Sequence, residues 1–95
     1  MNIVWSDEAA EDYHQNIDYL LNEWSEKSAD EFIEDVASIL ELLKTQPKLY
    51  PLTDSPSVRK AVIRKQITLF YKIEKQNIHL IRFWNNRQNP EKLKP

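Results

Sequence analysis

Arg59, Lys60, Arg64, Lys65, Lys72, Arg82 and Arg87 lie within or beside runs of Val, Ile, Phe and Tyr rather than in a free tail. Cations carried on a rigid sheet can form a fixed constellation, with each guanidinium forking onto a carboxylate or phosphate and each ammonium acting as a point charge. The same inventory serves phosphates and bases on one hand and acidic protein surfaces on the other. His79, between Ile78 and Leu80, is a strand histidine; near Arg82 and Tyr71, an imidazole that titrates close to neutrality can assist proton transfer in phosphodiester cleavage. Its structural alternative is a solvated or hydrogen-bonded side chain. His14 and Asp18 are one helical turn apart and can both touch a metal, but two histidines and no cysteine argue against a defined site. The many helical carboxylates fall on faces that periodicity gives to water, whereas a general acid–base pair needs a cleft.

The net charge of −2 conceals a division: residues 1–57 carry thirteen Asp and Glu against Lys27, Lys44 and Lys48, and residues 58–95 carry ten Lys and Arg against Glu74 and Glu91. So dense a basic segment attracts phosphates or an acidic partner whatever the total charge; mutual neutralisation of the halves is the plain alternative. A chain without glycine has no Gly-rich phosphate loop and no nucleophile elbow, and no cofactor is expected. With no cysteine there is no disulfide framework, and no apolar run reaches the length of a signal peptide or membrane span, so a soluble cytoplasmic protein of one domain, residues 1–95, is expected.

The elements that must position these residues follow from periodicity. Asn2 to Trp5 is a short β-prone run. Ser6 before Asp7 and Glu8 starts a helix, the hydroxyl accepting from the first turn and the carboxylates sitting at the positive end of the dipole. Ala10, Tyr13, Ile17, Leu20, Leu21 and Trp24 form its apolar stripe, with Glu8, Glu11, Asp12, Gln15, Asp18 and Asn22 on the wet side. A second helix begins at Ser25, or at Ser28 with Glu31 as a capping box, and ends before Pro47. Leu49, Tyr50 and Leu52 are expected to fold back on the core from a proline-rich loop. Three β-rich runs follow, 58–64, 67–74 and 78–84, separated by too few residues for anything but antiparallel hairpins. Alternation puts Lys60 with Arg64 on one face and Arg59 with Lys65 on the other. Asn77 is the expected positive-φ turn residue, and Asn85 and Asn86 supply turn chemistry before Pro90. The fold class is α+β in the order β-α-α-β-β-β: an N-terminal helical hairpin packed on one face of a small, mainly antiparallel sheet, with 88–95 as a flexible tail.

IVWSDEAAEDYHQNIDYLLNEWS, the helix end LLKTQPKLYP, the hairpin RKAVIRKQITLFYKI and the close IHLIRFWNNRQNPEKL together resemble the RelE/ParE superfamily of toxins from bacterial type II toxin–antitoxin modules, the plasmid-stabilisation type. The resemblance implies a growth-inhibiting toxin neutralised by a cognate antitoxin in a hetero-oligomer. In that superfamily the RelE-like branch cuts messenger RNA at the ribosome, and the ParE-like branch inhibits DNA gyrase without being a nuclease. RelE-like nucleases commonly carry an arginine just before the apolar run ending in Tyr, where this chain has Thr68. That departure removes a cation that would stabilise a phosphorane-like transition state, and with the long helical hairpin and the NNRQNP ending it favours the ParE-like branch. Target- and partner-binding candidates are then Arg59, Arg64, Lys65, Arg82, Trp84, Asn86 and Arg87; a nuclease would use Arg64, His79, Arg82 and Arg87. A non-toxic protein-interaction module is the third reading.

Overall fold

The structure, a computed structural model, describes residues 1–87; the expected tail 88–95 and Pro90 lie outside the described residues. Strand β1 (Asn2–Trp5) is followed by helices α1 (Asp7–Glu23) and α2 (Glu26–Thr45), then by strands β2 (Val58–Arg64), β3 (Ile67–Glu74) and β4 (Asn77–Asn85). The four strands form one sheet in the order β1-β4-β3-β2. Consecutive strands pair antiparallel, while β1 returns to lie parallel to β4, with Asn2 opposite Asn77 and Trp5 opposite Leu80. The expected architecture, a helical hairpin on a mainly antiparallel sheet, is the one observed.

Side-chain oxygens start both helices. Ser6 Oγ accepts from Ala9 N at 2.9 Å and donates to the Ile81 carbonyl at 3.0 Å, so the cap of α1 is also tied to β4. Ser25 is the cap of α2, accepting from Ser28 N at 3.0 Å, which decides between the two starts the sequence allows. Only Trp24 and Ser25 separate the helices, so they fold as an antiparallel hairpin.

The core lies between this hairpin and one face of the sheet: Leu20, Phe32, Leu43, Leu69, Leu80 and Phe83 are buried there. From the loop, Tyr50 joins this core, but Leu49 and Leu52 remain half-exposed. Leu52 instead bridges Arg59, and Thr53 N and Lys60 N exchange hydrogen bonds with Val58 O and Pro51 O, so the loop covers the first half of the β2 edge. Positive φ falls on Lys75 (57°) and Ser57 (65°) rather than on Asn77. Asn77 is already the first residue of β4, opposite Glu74, which leaves Lys75 to make the turn.

Tyr71 is fully buried, and its hydroxyl donates to the Pro47 carbonyl at 2.9 Å, anchoring β3 to the end of the helical layer. Burial pushes its pKa up, against the opposing charge of Arg59. A folded-state pKa above the unfolded value means that this stability is complete below about pH 10 and is lost as pH rises through the folded value. Tyr71→Phe should therefore lower stability by about 1 kcal/mol at pH 7. The gap between variant and parent should close above pH 10, as read by parallel denaturant titrations.

Candidate functional site

Two one-residue irregularities decide which way the cations point. In β2 the register shifts between Val62, opposite Thr68, and Arg64, opposite Ile67, so β2 carries one residue more than β3 there. Arg59, opposite the buried Tyr71, and Arg64, opposite the buried Ile67, consequently both face the helices, while Lys60 faces the open side opposite Phe70. The expected sharing of one face by Lys60 and Arg64 is thus broken by a bulge that alternation cannot foresee.

In β4 the shift falls between Leu80, opposite Tyr71, and Arg82, opposite Phe70. It occurs just past Trp5, where β1 ends, so beyond Leu80 the outer edge of β4 has no neighbouring strand. Side chains from α1 satisfy that edge. Asp12 Oδ2 accepts from Phe83 N at 3.1 Å, and Asn16 Nδ2 donates to Phe83 O at 3.1 Å. Arg82 closes on the same carboxylate with both arms, Nε to Oδ2 at 2.6 Å and Nη2 to Oδ1 at 3.0 Å. Asn85 Nδ2 donates to Asn16 Oδ1 at 2.9 Å, and Asn85 Oδ1 accepts from Arg87 N at 2.9 Å. Among the described residues no buried side-chain nitrogen or oxygen lacks a partner, as a polar cluster inside a small core requires.

Two expectations are corrected here, and a third residue is found with partners inside the chain. Asp12, assigned to water, is buried, because an unpaired strand edge draws it inward. Asn85, read as a turn residue, is the last residue of β4 and is buried against Asn16. Arg82, a candidate for gripping a target or cutting RNA, is held between the Asp12 carboxylate and the ring of Trp84, 5.2 Å from the guanidinium carbon. The hydrogen bond that Arg82 donates to Asp12 is foremost in raising the Arg82 pKa above its already high ordinary value.

The other candidates separate into groups. Arg59 donates to the Tyr50 carbonyl at 2.7 Å and the Lys48 carbonyl at 3.3 Å, which makes it a brace for the loop. His79 stands opposite Lys72, on the face away from Tyr71, so His79, Tyr71 and Arg82 do not assemble the proton-transfer group considered above. Trp84 lies opposite Thr68 on the open face, and Asn86 N donates to Gln66 O at 2.8 Å, closing the end of the sheet. Arg64, Lys65 and Arg87 do converge: with Leu20, Trp24, Ser28, Asp35, Ile63 and Gln66 they line a cleft of about 480 Å³ between the hairpin and the β2–β3 turn. Arg87 lies over the ring of Trp24 at 5.8 Å, and Arg64 reaches Asp35 at 3.5 Å.

Among the described residues no group of three or more His, Cys, Asp or Glu side chains is placed to hold a metal, and His14 with Asp18 gains no third donor. No helix among them is long and apolar enough to cross a membrane. Sequence reasoning missed Asp12, Asn16, Trp24 and Asp35 as site residues. The signal for the first two was present: Ala9, Asp12, Asn16 and Leu20 run in helical phase and are the buried positions of α1.

The helical hairpin on a β1-β4-β3-β2 sheet is the fold of RelE/ParE-like toxin structures. The sequence model described as "ParE toxin of type II toxin-antitoxin system, parDE" matches residues 3–90, and the chain belongs to that family. No individual curated protein matches by sequence. Among solved structures, the fold is similar to the chromosomal ParDE system of P. aeruginosa, with a TM-score of 0.74 and 16% identity over 90% of this chain and 95% of that one. It is also similar to the YoeB dimer of Staphylococcus aureus (0.64, 15%, 88% and 94%). The DinJ–YafQ complex of E. coli is a third (0.63, 14%, 93% and 96%).

Proposed function

We propose that this ParE-family chain arrests growth by binding a macromolecular target, DNA gyrase, without cutting nucleic acid, and that a cognate antitoxin neutralises it in the cytoplasm as a hetero-oligomer. One observation carries the choice between branches: the four side chains a nuclease would use, Arg64, His79, Arg82 and Arg87, do not meet at one place. Arg82 is committed to Asp12, Arg64 and Arg87 lie at the cleft on the helix side, and His79 faces the other way. With Thr68 where a sheet arginine would be required, the open face lacks that guanidinium to stabilise a phosphorane-like transition state. The ParDE toxin–antitoxin system and the DinJ–YafQ complex as structural relatives support partnership with an antitoxin.

Induction of the chain alone in bacteria should stop growth and change plasmid supercoiling, and co-expression of the adjacent reading frame should reverse both. Growth arrest with unchanged supercoiling refutes the gyrase target. Messages cleaved at ribosomes, with cleavage abolished by Arg82→Ala or Arg87→Ala, would establish the nuclease reading instead. Expression without any effect on growth, together with tight binding to the neighbouring gene product, would identify a non-toxic interaction module.

A further inference from the structure

Arg59 braces the proline-rich loop through Nη1 alone, which donates to the carbonyls of Tyr50 and Lys48. Among the described residues nothing accepts from its Nε–Nη2 edge, the edge by which Arg82 grips Asp12. With Lys48, Leu52, Ser57 and Ile73, Arg59 lines a cavity of about 320 Å³ where this loop meets the start of β2 and the end of β3. The cleft that holds Arg64, Lys65 and Arg87 lies at the opposite end of both strands. No carboxylate lines the cavity, and among the described residues neither Lys48 nor Arg59 has an acidic partner. Lys48 and Ser57 are exposed, and Leu52 is 56% exposed. Ser57 holds a left-handed backbone (φ 65°), uncommon for a residue with a Cβ. Val58 N, donating to Ser55 O at 3.2 Å, and Thr53 N, donating to Val58 O at 2.7 Å, keep it there. The Ser57 N–H and hydroxyl have no partner among the described residues.

We propose that this cavity binds a small phosphate monoester: its dianionic phosphoryl group sits among the Lys48 ammonium, the unused edge of the Arg59 guanidinium and the Ser57 N–H and hydroxyl, and its organic group rests on Leu52 and Ile73. The proposal is independent of both the gyrase target and the antitoxin. The two carbonyls that hold Arg59 Nη1 fix the plane of the guanidinium, so its free edge is oriented before any ligand arrives. A carboxylate would satisfy that edge with its two oxygens and leave Lys48 and Ser57 unserved. The three oxygens of a phosphoryl group can serve all three residues. Charge points the same way: two cations face the cavity with no carboxylate on its lining to repel a second negative charge, whereas Asp35 does so in the other cleft. Ser57 is held in a costly conformation by its neighbours, as residues at ligand clamps commonly are. The volume is at the small end of the range for ligand pockets, room for a phosphoryl group and a modest organic group rather than a large cofactor.

The test titrates the full-length protein with phenyl phosphate, phenyl sulfate and AMP, following the Ser57 and Arg59 amides and the Arg59 Nε–H by NMR. Phenyl phosphate should shift these signals saturably and bind about 10-fold more tightly than phenyl sulfate, which carries the same ring and one charge fewer. Its affinity should rise about 5-fold from pH 5 to pH 7.5, as the phosphoryl group loses its second proton near pH 6. Phenyl sulfate should show no such rise, because no histidine or carboxylate lines the cavity. Lys48→Ala should weaken phenyl phosphate about 10-fold, with unchanged Tyr71 and Phe83 amide positions showing that the fold is kept. Ser57→Gly keeps the backbone N–H and suits the positive φ, so it should bind about 3-fold more weakly with a thermal midpoint no lower than the parent's. Tighter binding of AMP than of phenyl phosphate would place the natural ligand among nucleotides, and the reverse among smaller esters; either result supports the site. Equal binding of phenyl phosphate and phenyl sulfate, affinity unaffected by Lys48→Ala, or saturable shifts at the Lys65 and Gln66 amides in place of Ser57 and Arg59 would each overturn the proposal. The readout is binding and not growth, so a negative supercoiling assay and a negative titration refute different statements.

Discussion

Asp12→Ala should lower unfolding stability by about 3 kcal/mol, a large share of what holds a domain of this size. One carboxylate is asked for three hydrogen bonds: it takes both arms of Arg82 and the buried Phe83 amide. Its removal leaves Phe83 N–H without an acceptor and Arg82 without its anion. The Arg82 side chain is 31% exposed, so it can turn to water, which keeps the loss near the lower end of the range for broken buried pairs. The denaturant midpoint should fall with the slope unchanged, and the thermal midpoint should drop by roughly 15 °C. Asp12→Asn retains an oxygen for Phe83 but no charge for Arg82, and should fall between parent and alanine variant. A loss under about 1 kcal/mol for Asp12→Ala would refute the idea that α1 side chains stand in for a missing strand along β4.

Phe83→Ala should be more damaging still, at about 3–5 kcal/mol. The ring is buried among three aromatics, with centroids 5.5 Å from Trp5, 5.8 Å from Tyr13 and 6.4 Å from Phe32. Truncation opens a cavity where β1, both helices and β4 meet, and the stiff neighbouring rings cannot collapse into it. Phe83→Leu fills much of that volume and should lose less than half as much. Because the Phe83 backbone is held by Asp12 and Asn16, combining Phe83→Ala with Asp12→Ala should not give additive losses. Equilibrium denaturation of both single variants and the double variant measures that coupling. A Phe83→Ala loss no larger than that of a surface substitution would contradict the packing described.

The order of elements was legible in the sequence because each carried its own period: 3.6 across Tyr13, Ile17 and Leu20, and 2 across Ile67, Leu69 and Tyr71. Ser6 was legible as a cap, and Ser25 as one of two possible caps, because their hydrogen bonds are local. The faces of Arg64 and Arg82 were not, since a single inserted residue in β2 and another in β4 reverses the alternation beyond it. Asp12 and Asn16 escaped for a related reason. Their polarity pointed to water, and only the shortness of β1 relative to β4 explains why they are needed inside. Lys65 and Arg87 were named from charge alone; Trp24 and Asp35, which complete the cleft with them, come from the helical hairpin and meet them only in three dimensions.

The parallel pairing of β1 with β4 also sets a clock. Trp5 cannot find its partner Leu80 until about 75 further residues have been made, which at 5–20 residues per second is roughly 4 to 15 s of synthesis. During that interval Ser6 has no Leu80 or Ile81 carbonyl to bind, and Asp12 and Asn16 have no strand edge to cover. The nascent toxin therefore spends most of its synthesis without the last strand, and the rim that includes Arg87 is completed last.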